Sequence, residues 1–184
     1  MILNGTVVSG RGVATGHLDP FARDLKELTG NDLFPGTMNV VLDRPVRFSE
    51  SHAVKFDLDR RLIWPATLEG VSVFMYRWAE CPLHVLEILS EVHLRRLLCL
   101  SDDSTVELVC EDKIVSPLSR KEALIWRILW RGRERAAYDD SVRSPGNREL
   151  RYLGGMQASP KGLARYIPSV LRDCGRSIRK ATGR

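Results

Sequence analysis

Long apolar runs are missing from this sequence, and cysteine is scarce and scattered. No run of apolar residues exceeds four, whereas a membrane-spanning helix needs about 20. The four cysteines include no Cys-x-x-Cys pair, so neither a disulfide framework nor a zinc centre is indicated. The first residues also lack the basic patch, apolar stretch and cleavage site of a secretory signal. We therefore expect a cytoplasmic protein without a transmembrane segment.

Positive and negative charges are divided unevenly along the chain, which has 28 Lys and Arg against 23 Asp and Glu and a net charge of +5. Residues 1–118 contain 12 basic and 17 acidic residues, whereas residues 119–184 contain 16 and 6, so the net charges are −5 and +10. Such a basic segment is typical of contact with nucleic acid, an acidic membrane surface or an acidic partner, but also of a solvated face. We predict a domain at 1–118 and a basic, arginine-rich, partly helical C-terminal extension at 119–184.

Short strand patterns dominate the first of these two parts. Runs of β-branched and apolar residues, separated by turn-forming residues, predict strands at 2–8, 40–42, 54–56, 61–64, 71–76, 85–89 and 106–110. Helical patterns are found at 20–29, where Asp19 is the expected N-cap, and at 92–98. Many short strands with few helices are typical of a small β barrel, which would close near residue 115.

The extension has helical character at its start. Residues 120–135 place apolar side chains, among them two tryptophans, over most of one side and arginines over the rest. Such a helix could pack on the barrel, lie on a membrane surface or bind a partner, and we expect packing on the barrel. Residues 138–155 look irregular, and residues 168–180 are predicted to form a final basic helix.

Two polar segments carry the candidate chemistry. Gly10, Arg11 and Gly12 follow the first strand, and a glycine-rich loop can hold phosphates through its backbone N–H groups. Thr37 and Asn39 stand two residues apart at the start of a strand, so both side-chain oxygens point to the same side. Mg²⁺ takes oxygen ligands and completes its shell with waters and substrate phosphates. Together the segments predict a site for magnesium and phosphate, although each alone also fits an ordinary turn.

Three segments follow one another in a distinctive order. They are Gly-Thr-Val-Val-Ser-Gly-Arg-Gly at 5–12, Phe-Pro-Gly-Thr-Met-Asn-Val at 34–40, and Val-Leu-Glu-Ile-Leu at 85–89 with His-Leu-Arg and Leu-Ser-Asp-Asp at 93–95 and 100–103. In this order they resemble the archaeal CTP-dependent riboflavin kinase family, and the likeness covers residues 2 to about 112. The resemblance implies a mainly β fold, a six-stranded cradle-loop barrel, that transfers the γ-phosphate of CTP to the 5′-hydroxyl of riboflavin and gives FMN.

The resemblance also implies roles for individual residues. Gly10, Arg11 and Gly12 would contact the nucleotide phosphates, Thr37 and Asn39 would bind Mg²⁺ together with those phosphates, and Glu87 would be the general base. Phosphoryl transfer depends mostly on positioning and charge neutralisation, with one carboxylate to accept the proton of the attacking hydroxyl. The alternative for Glu87 is a solvent-facing carboxylate on an edge strand.

Two features depart from the family pattern. Val13 and Ala14 stand where the family usually has Glu-Gly, and the basic extension has no counterpart. They leave a second hypothesis open, in which the barrel has lost catalysis, binds nucleotide or nucleic acid, and uses the extension to attach to an anionic partner. Trp64, Phe74 and Trp78 could stack on a flat ring, although aromatic residues in strands usually belong to the core.

Overall fold

The structure is a computed structural model that describes residues 1–10, 12, 14–79 and 81–138. The predictions made for residues after 138 lie outside the described residues. The strands are β1 (Ile2–Val8), β2 (Met38–Leu42), β3 (Arg47–Phe48), β4 (Val54–Phe56), β5 (Arg61–Leu68), β6 (Val71–Trp78), β7 (Val85–Leu89), β8 (Thr105–Val109) and β9 (Val115–Ser116). The α-helices are α1 (Ala14–Leu18), α2 (Ala22–Thr29), α3 (Leu94–Leu97) and α4 (Arg120–Leu129), and short 3₁₀ helices lie at Asp19–Phe21, Glu50–His52, Asp112–Ile114 and Glu134–Ala137.

Six antiparallel strands close into a barrel. Their order is β5-β6-β7-β2-β1-β8, and β8 returns to pair with β5 through Thr67 opposite Val109 and Leu68 opposite Leu108. Strand β4 pairs with the first residues of β5 on the same edge, and β3 pairs with β9 in a separate two-stranded sheet. Barrel closure satisfies the strand edges that an open sheet would expose. The predicted mainly β, six-stranded barrel is confirmed.

Alternation of side chains along β2 and β7 separates the core from the site. Met38, Val40 and Leu42 of β2 and Leu86 and Ile88 of β7 belong to the main hydrophobic core. Because successive side chains of a strand point to opposite faces, the residues between them face away from that core. The barrel interior is therefore apolar, while the polar residues of the same two strands lie on its outer surface.

Helices α1 and α2 cover one part of that outer surface. Leu18 of α1 and Leu25 of α2 form a second apolar cluster with Ile63 and Leu89 of the barrel. Helix α2 ends where Gly30 adopts the left-handed conformation with φ of +73°. The helix predicted at 20–29 is thus largely found, but Asp19 is not its N-cap, because a 3₁₀ turn that includes Asp19 precedes α2 and its side chain caps neither segment.

Helix α4 and the following 3₁₀ helix cover another part of the outer surface. A capping box starts α4, in which the Ser119 side chain accepts from the Glu122 N–H and the Glu122 carboxylate accepts from the Ser119 N–H. Leu129, Trp130 and Ala137 pack against Cys81 and Val85 of the barrel. The predicted packing of this helix on the barrel is confirmed, although α4 ends at residue 129 rather than 135. The division at residue 118 into two domains stays a prediction.

The buried side chain of Arg77 fixes the loop between β6 and β7. Arg77 is 5% exposed and donates to the backbone carbonyls of Val46, Leu83 and Val85 at 2.7–2.8 Å, while its guanidinium lies 4.3 Å from the Phe48 ring centroid. Burial lowers the pKa of Arg77 to about 10, so the side chain remains a cation at neutral pH. The loop that precedes β7 is therefore held by a cation that three carbonyls satisfy.

His84 joins the same loop to the extension. It is fully buried; the Trp126 indole N–H donates to its Nδ1 at 3.0 Å, and its Nε2 lies 2.9 Å from the Glu134 carbonyl oxygen. These partners define the neutral ring with its proton on Nε2. Burial lowers the pKa of His84 to about 4.

Among the described residues, no helix has the length and apolar character to cross a membrane.

Candidate active site

A cleft of about 1070 Å³ opens on the outer surface of the barrel. It lies between helices α1 and α2 on one side and the start of the C-terminal extension on the other. The outward side chains of β7 show its position, because Leu89 packs under α1 and α2, Val85 packs under the extension, and Glu87 between them lines the cleft. The strand thus carries one carboxylate into the gap between two apolar patches. Glu87 lies on a central strand of the barrel, with β2 on one side and β6 on the other, so the edge-strand alternative for this residue is wrong.

A row of facing residues crosses four strands of the barrel at the cleft. Val8 of β1 lies opposite Asn39 of β2, Asn39 lies opposite Glu87 of β7, and Glu87 lies opposite Tyr76 of β6. Directly opposed residues of antiparallel strands have Cβ atoms about 5 Å apart. The strand pairing therefore brings together an amide, a carboxylate and a phenol that are far apart in sequence.

Thr37 precedes β2 and is tied to the same carboxylate. Its hydroxyl donates to Glu87 Oε2 at 2.7 Å across 50 residues of sequence. Because the hydroxyl proton is used by Glu87, the oxygen lone pairs of Thr37 are left to accept. This hydrogen bond fixes both the threonine oxygen and one carboxylate oxygen at the cleft.

Gly10 lies against the side chain of Asn39. A Cβ atom at Gly10 would lie 2.0 Å from Asn39 Nδ2 and 3.1 Å from Cγ, so no larger residue fits without moving the amide. Asn39 is itself 8% exposed. The loop after β1 and the start of β2 therefore meet closely at this glycine, which explains why the chain has glycine here. Gly12 has φ of +68°, and no other described residue comes within 4 Å of a Cβ atom placed there, so the backbone conformation favours glycine at this position.

The loop after β1 is anchored from a third direction by α3 and the turn before β8. Arg95 donates to the Val8 carbonyl and to Asp102 Oδ1, each at 2.7 Å, and the Ser9 hydroxyl donates to the other Asp102 oxygen. The hydrogen bonds from Ser9 and Arg95 hold the pKa of the Asp102 carboxyl below its ordinary value. Arg95 also lines the cleft, so one guanidinium both fixes the loop and presents positive charge beside it.

The β6 side of the cleft is aromatic. Burial raises the pKa of Tyr76 to about 12, and the Arg61 guanidinium donates to its hydroxyl at 2.5 Å. Arg61 is held in turn by Asp57 at 2.9 Å and lies 5.2 Å from the ring centroid of Phe21. Trp78 also lines the cleft and is 36% exposed. This side of the cleft thus offers aromatic faces and one cation to a ligand.

The predicted site residues are mostly brought together. Gly10, Gly12, Thr37, Asn39 and Glu87 all line the one cleft, and their individual roles stay predictions. Arg11 lies outside the described residues, so its assigned phosphate contact is not described. Of the three aromatic candidates for stacking, Trp78 lines the cleft, whereas Trp64 is buried in the main core and Phe74 packs beside the second cluster.

Several cleft residues were missed by the sequence reasoning. They are Arg61, Tyr76, Arg95 and Tyr138. The alternation of Phe74, Tyr76 and Trp78 along β6 was a usable signal, because residues two apart share one face of a strand. No local signal in the sequence joins Tyr138 to Glu87, since that proximity depends on how the extension folds back.

The side-chain oxygens at this end of the cleft suit a hard cation that is also bound by substrate phosphates. Thr37 and Asn39 offer neutral oxygens, and the neighbouring Glu87 offers a carboxylate. Among the described residues, no group of three or more His, Cys, Asp or Glu side chains could hold a metal ion. Mg²⁺ prefers such sparse oxygen sites, in which waters and phosphates complete the octahedron. The residues present therefore fit a magnesium-phosphate site rather than a site built of protein ligands alone.

Comparison with known proteins gives the family. No protein-family model matches the chain. Curated relatives match, among them a riboflavin kinase of Ignicoccus hospitalis that is 31% identical in an alignment of 125 residues, gaps included, which covers 58% of this chain and 69% of that protein. A riboflavin kinase of Staphylothermus marinus is 25% identical over 60% of this chain and 92% of its own length, and one of Methanocella arvoryzae is 30% identical over 60% of this chain and 57% of its own length. The chain belongs to the archaeal riboflavin kinase family of phosphotransferases.

Proposed function

We propose that this protein transfers the γ-phosphate of CTP to the 5′-hydroxyl of riboflavin in a Mg²⁺-dependent reaction that yields FMN and CDP. The observation that carries the proposal is the convergence of Thr37, Asn39 and Glu87 in one cleft beside the glycine-containing loop. The curated relatives are riboflavin kinases. Family membership supports the acceptor, and the site residues support phosphoryl transfer.

The donor phosphates fit the β1 and β2 side of the cleft. There the backbone of Gly10 and Gly12 can approach a phosphate closely, and Arg95 lies beside them. Thr37 and Asn39 would hold Mg²⁺ against the same phosphates. Bound Mg²⁺ would neutralise the negative charge that develops on the transferred phosphoryl group. Arg95 is fixed by Val8 and Asp102, so its charge needs little reorganisation during transfer.

Glu87 is the group that accepts the proton of the acceptor hydroxyl. In the transfer, the bond between the γ-phosphorus and its bridging oxygen breaks while a new bond forms to the 5′-oxygen of riboflavin. The hydroxyl proton passes to the Glu87 carboxylate, and CDP leaves. The Thr37 hydroxyl donates to Glu87 Oε2 at 2.7 Å, and this hydrogen bond fixes the orientation of the carboxylate. A fixed base beside the metal ligands is the arrangement that phosphoryl transfer requires.

Product formation from a panel of nucleotides tests the proposal. Riboflavin and Mg²⁺ are incubated with CTP, ATP, GTP or UTP, and FMN is separated by chromatography. We expect FMN chiefly from CTP and none when EDTA is added. Formation of FMN only from another nucleotide would refute CTP as the donor. Folded protein that yields no FMN from any nucleotide would exclude the kinase and leave the non-catalytic binding module.

Two variants connect activity to the site. Asn39→Ala and Glu87→Gln should each lower kcat by at least 100-fold, the order expected when a metal ligand or a general base is lost. The matched controls are Asn4→Ala and Glu107→Gln, since both residues are exposed on neighbouring strands outside the cleft. Control-like turnover in Asn39→Ala would exclude the assigned metal site.

A further inference from the structure

The extension supplies part of the substrate cleft. Ala137 and Tyr138 line the same cleft as Glu87, although they lie about 25 residues beyond the end of the family resemblance near residue 112. We propose that residues 134–138, here named the C-terminal wall, form part of the acceptor subsite, with the Tyr138 ring in contact with the flat ring system of riboflavin. This inference rests on the proposed function, whose acceptor it uses.

The C-terminal wall is fixed to the barrel at several points. The Tyr138 hydroxyl donates to the Leu86 carbonyl at 3.3 Å, one residue from Glu87, and His84 Nε2 donates to the Glu134 carbonyl at 2.9 Å. Ala137 is 9% exposed and packs on the loop before β7. A ring that contacts a ligand from a fixed segment loses little conformational entropy on binding. The wall is therefore a suitable element for recognition.

Arg135 of the wall pairs with Asp103 in the turn before β8, whereas Ala137 and Tyr138, the wall residues that line the cleft, point to the acceptor rather than the donor. Across the row of facing strands, the glycine-containing loop lies at β1 and the candidate base lies on β7. Ala137 packs with Cys81 and Val85 beside β6 and β7, and Trp78 at the end of β6 lines the cleft on the same side. An acceptor whose hydroxyl meets Glu87 must extend away from the donor phosphates, and it would do so toward these residues.

The chemistry of this side suits a flat, largely apolar ring system with polar edges. Tyr138 and Trp78 offer aromatic surfaces, and Arg61 offers a cation beside the Tyr76 hydroxyl. Aromatic faces bind flat rings through dispersion and quadrupole interactions, in addition to the burial of apolar area. Riboflavin has such a ring system, and neither Ala137 nor Tyr138, the two wall residues that line the cleft, offers a cation to a triphosphate.

Substitution of Tyr138 in the full chain tests the inference. Tyr138→Ala should raise the KM for riboflavin about tenfold, the change that a loss near 1.4 kcal/mol produces, with the KM for CTP within twofold of wild type. Tyr138→Phe should keep the riboflavin KM within about threefold, because it retains the ring and removes the hydroxyl that donates to the Leu86 carbonyl. The matched control is Ile128→Ala, since Ile128 is 61% exposed on α4 and lies outside the cleft.

A second readout separates recognition from folding. Riboflavin binding is followed by quenching of its fluorescence without nucleotide, and the melting temperature is measured for each variant. Weaker riboflavin binding in Tyr138→Ala, with the melting temperature of the control, would support the wall as an acceptor subsite. An unchanged riboflavin KM would overturn it, and so would a rise in both KM values together with a lower melting temperature.

The wild-type protein distinguishes this inference from the proposed function. If wild type forms FMN and Tyr138→Ala behaves like wild type, the acceptor subsite is refuted and the kinase stands. If wild type neither binds riboflavin nor forms FMN, the proposed function itself fails and the subsite fails with it.

Discussion

Substitution of Gly10 by alanine should disable the site through Asn39. The added Cβ would lie 2.0 Å from Asn39 Nδ2, whereas real Cβ contacts essentially never fall below 3.0 Å. The amide or the loop must therefore move by about 1 Å, and a misplacement of that size in a catalytic group costs about 100-fold in rate. We expect kcat to fall about 100-fold, which corresponds to about 2.7 kcal/mol of activation free energy.

The assay is FMN formation under saturating CTP and riboflavin, with Gly16→Ala as the matched control. Gly16 lies in α1 with nothing within 4 Å of its built Cβ, so alanine there should leave kcat unchanged and stabilise the protein slightly. Melting temperatures of both variants should stay near wild type, because Gly10 is exposed and outside the core.

A double-mutant cycle decides whether Gly10 acts through Asn39 or directly on the nucleotide. If the effect runs through the amide, Gly10→Ala adds little to kcat loss in a protein that already carries Asn39→Ala. If Gly10→Ala lowers kcat equally in both backgrounds, the explanation by contact with Asn39 is wrong and the loop itself serves the phosphates. A wild-type kcat in the single variant would refute the reasoning altogether.

Three further predictions concern stability, measured as the free energy of unfolding in urea. Because burial lowers the pKa of His84 to about 4 from 6.5, the unfolded chain binds more protons between these values, so the His84 contribution to stability should fall by about 1.6 kcal/mol from pH 6.5 to pH 5. This contribution should be absent in His84→Gln. Arg77→Met should cost about 3–5 kcal/mol because three backbone carbonyls lose their donor, and Arg77→Lys should recover only a small part, since one ammonium cannot reproduce the fork of donors. Ser119→Ala should cost about 1 kcal/mol through loss of the α4 capping box, and an unchanged value would show that tertiary packing alone fixes this helix end.

The strands were largely predictable from sequence because their patterns are local. Strands β1, β4 and β7 have the predicted bounds, since β-branched runs between turn residues specify them directly. Helix α1 was not predicted, because Gly16 lies in its middle and glycine weakens a helical pattern. The pairing of β3 with β9 was not predicted, because two-residue strands have no periodicity and meet only through the tertiary fold.

The site was predictable only as far as the family resemblance reached. That resemblance selected Thr37, Asn39 and Glu87, and the structure places them in one cleft. Neither Arg61 nor Tyr138 was selected, because their positions at the cleft depend on barrel closure and on the return of the extension over β7. The contact between Gly10 and Asn39 was also not predicted, since the distance between a loop and a strand far apart in sequence is not encoded in either segment alone.

The alternation along β7 has a consequence for how this protein can vary. Leu86 and Ile88 fill the barrel, and Glu87 between them serves the cleft. A shift of the strand by one residue would exchange the two faces, so that a carboxylate would enter the core and leucine would occupy the reacting centre. An insertion or deletion within β7 itself would therefore abolish folding and catalysis in one event. Natural variation along this strand should be confined to substitutions that preserve the alternation.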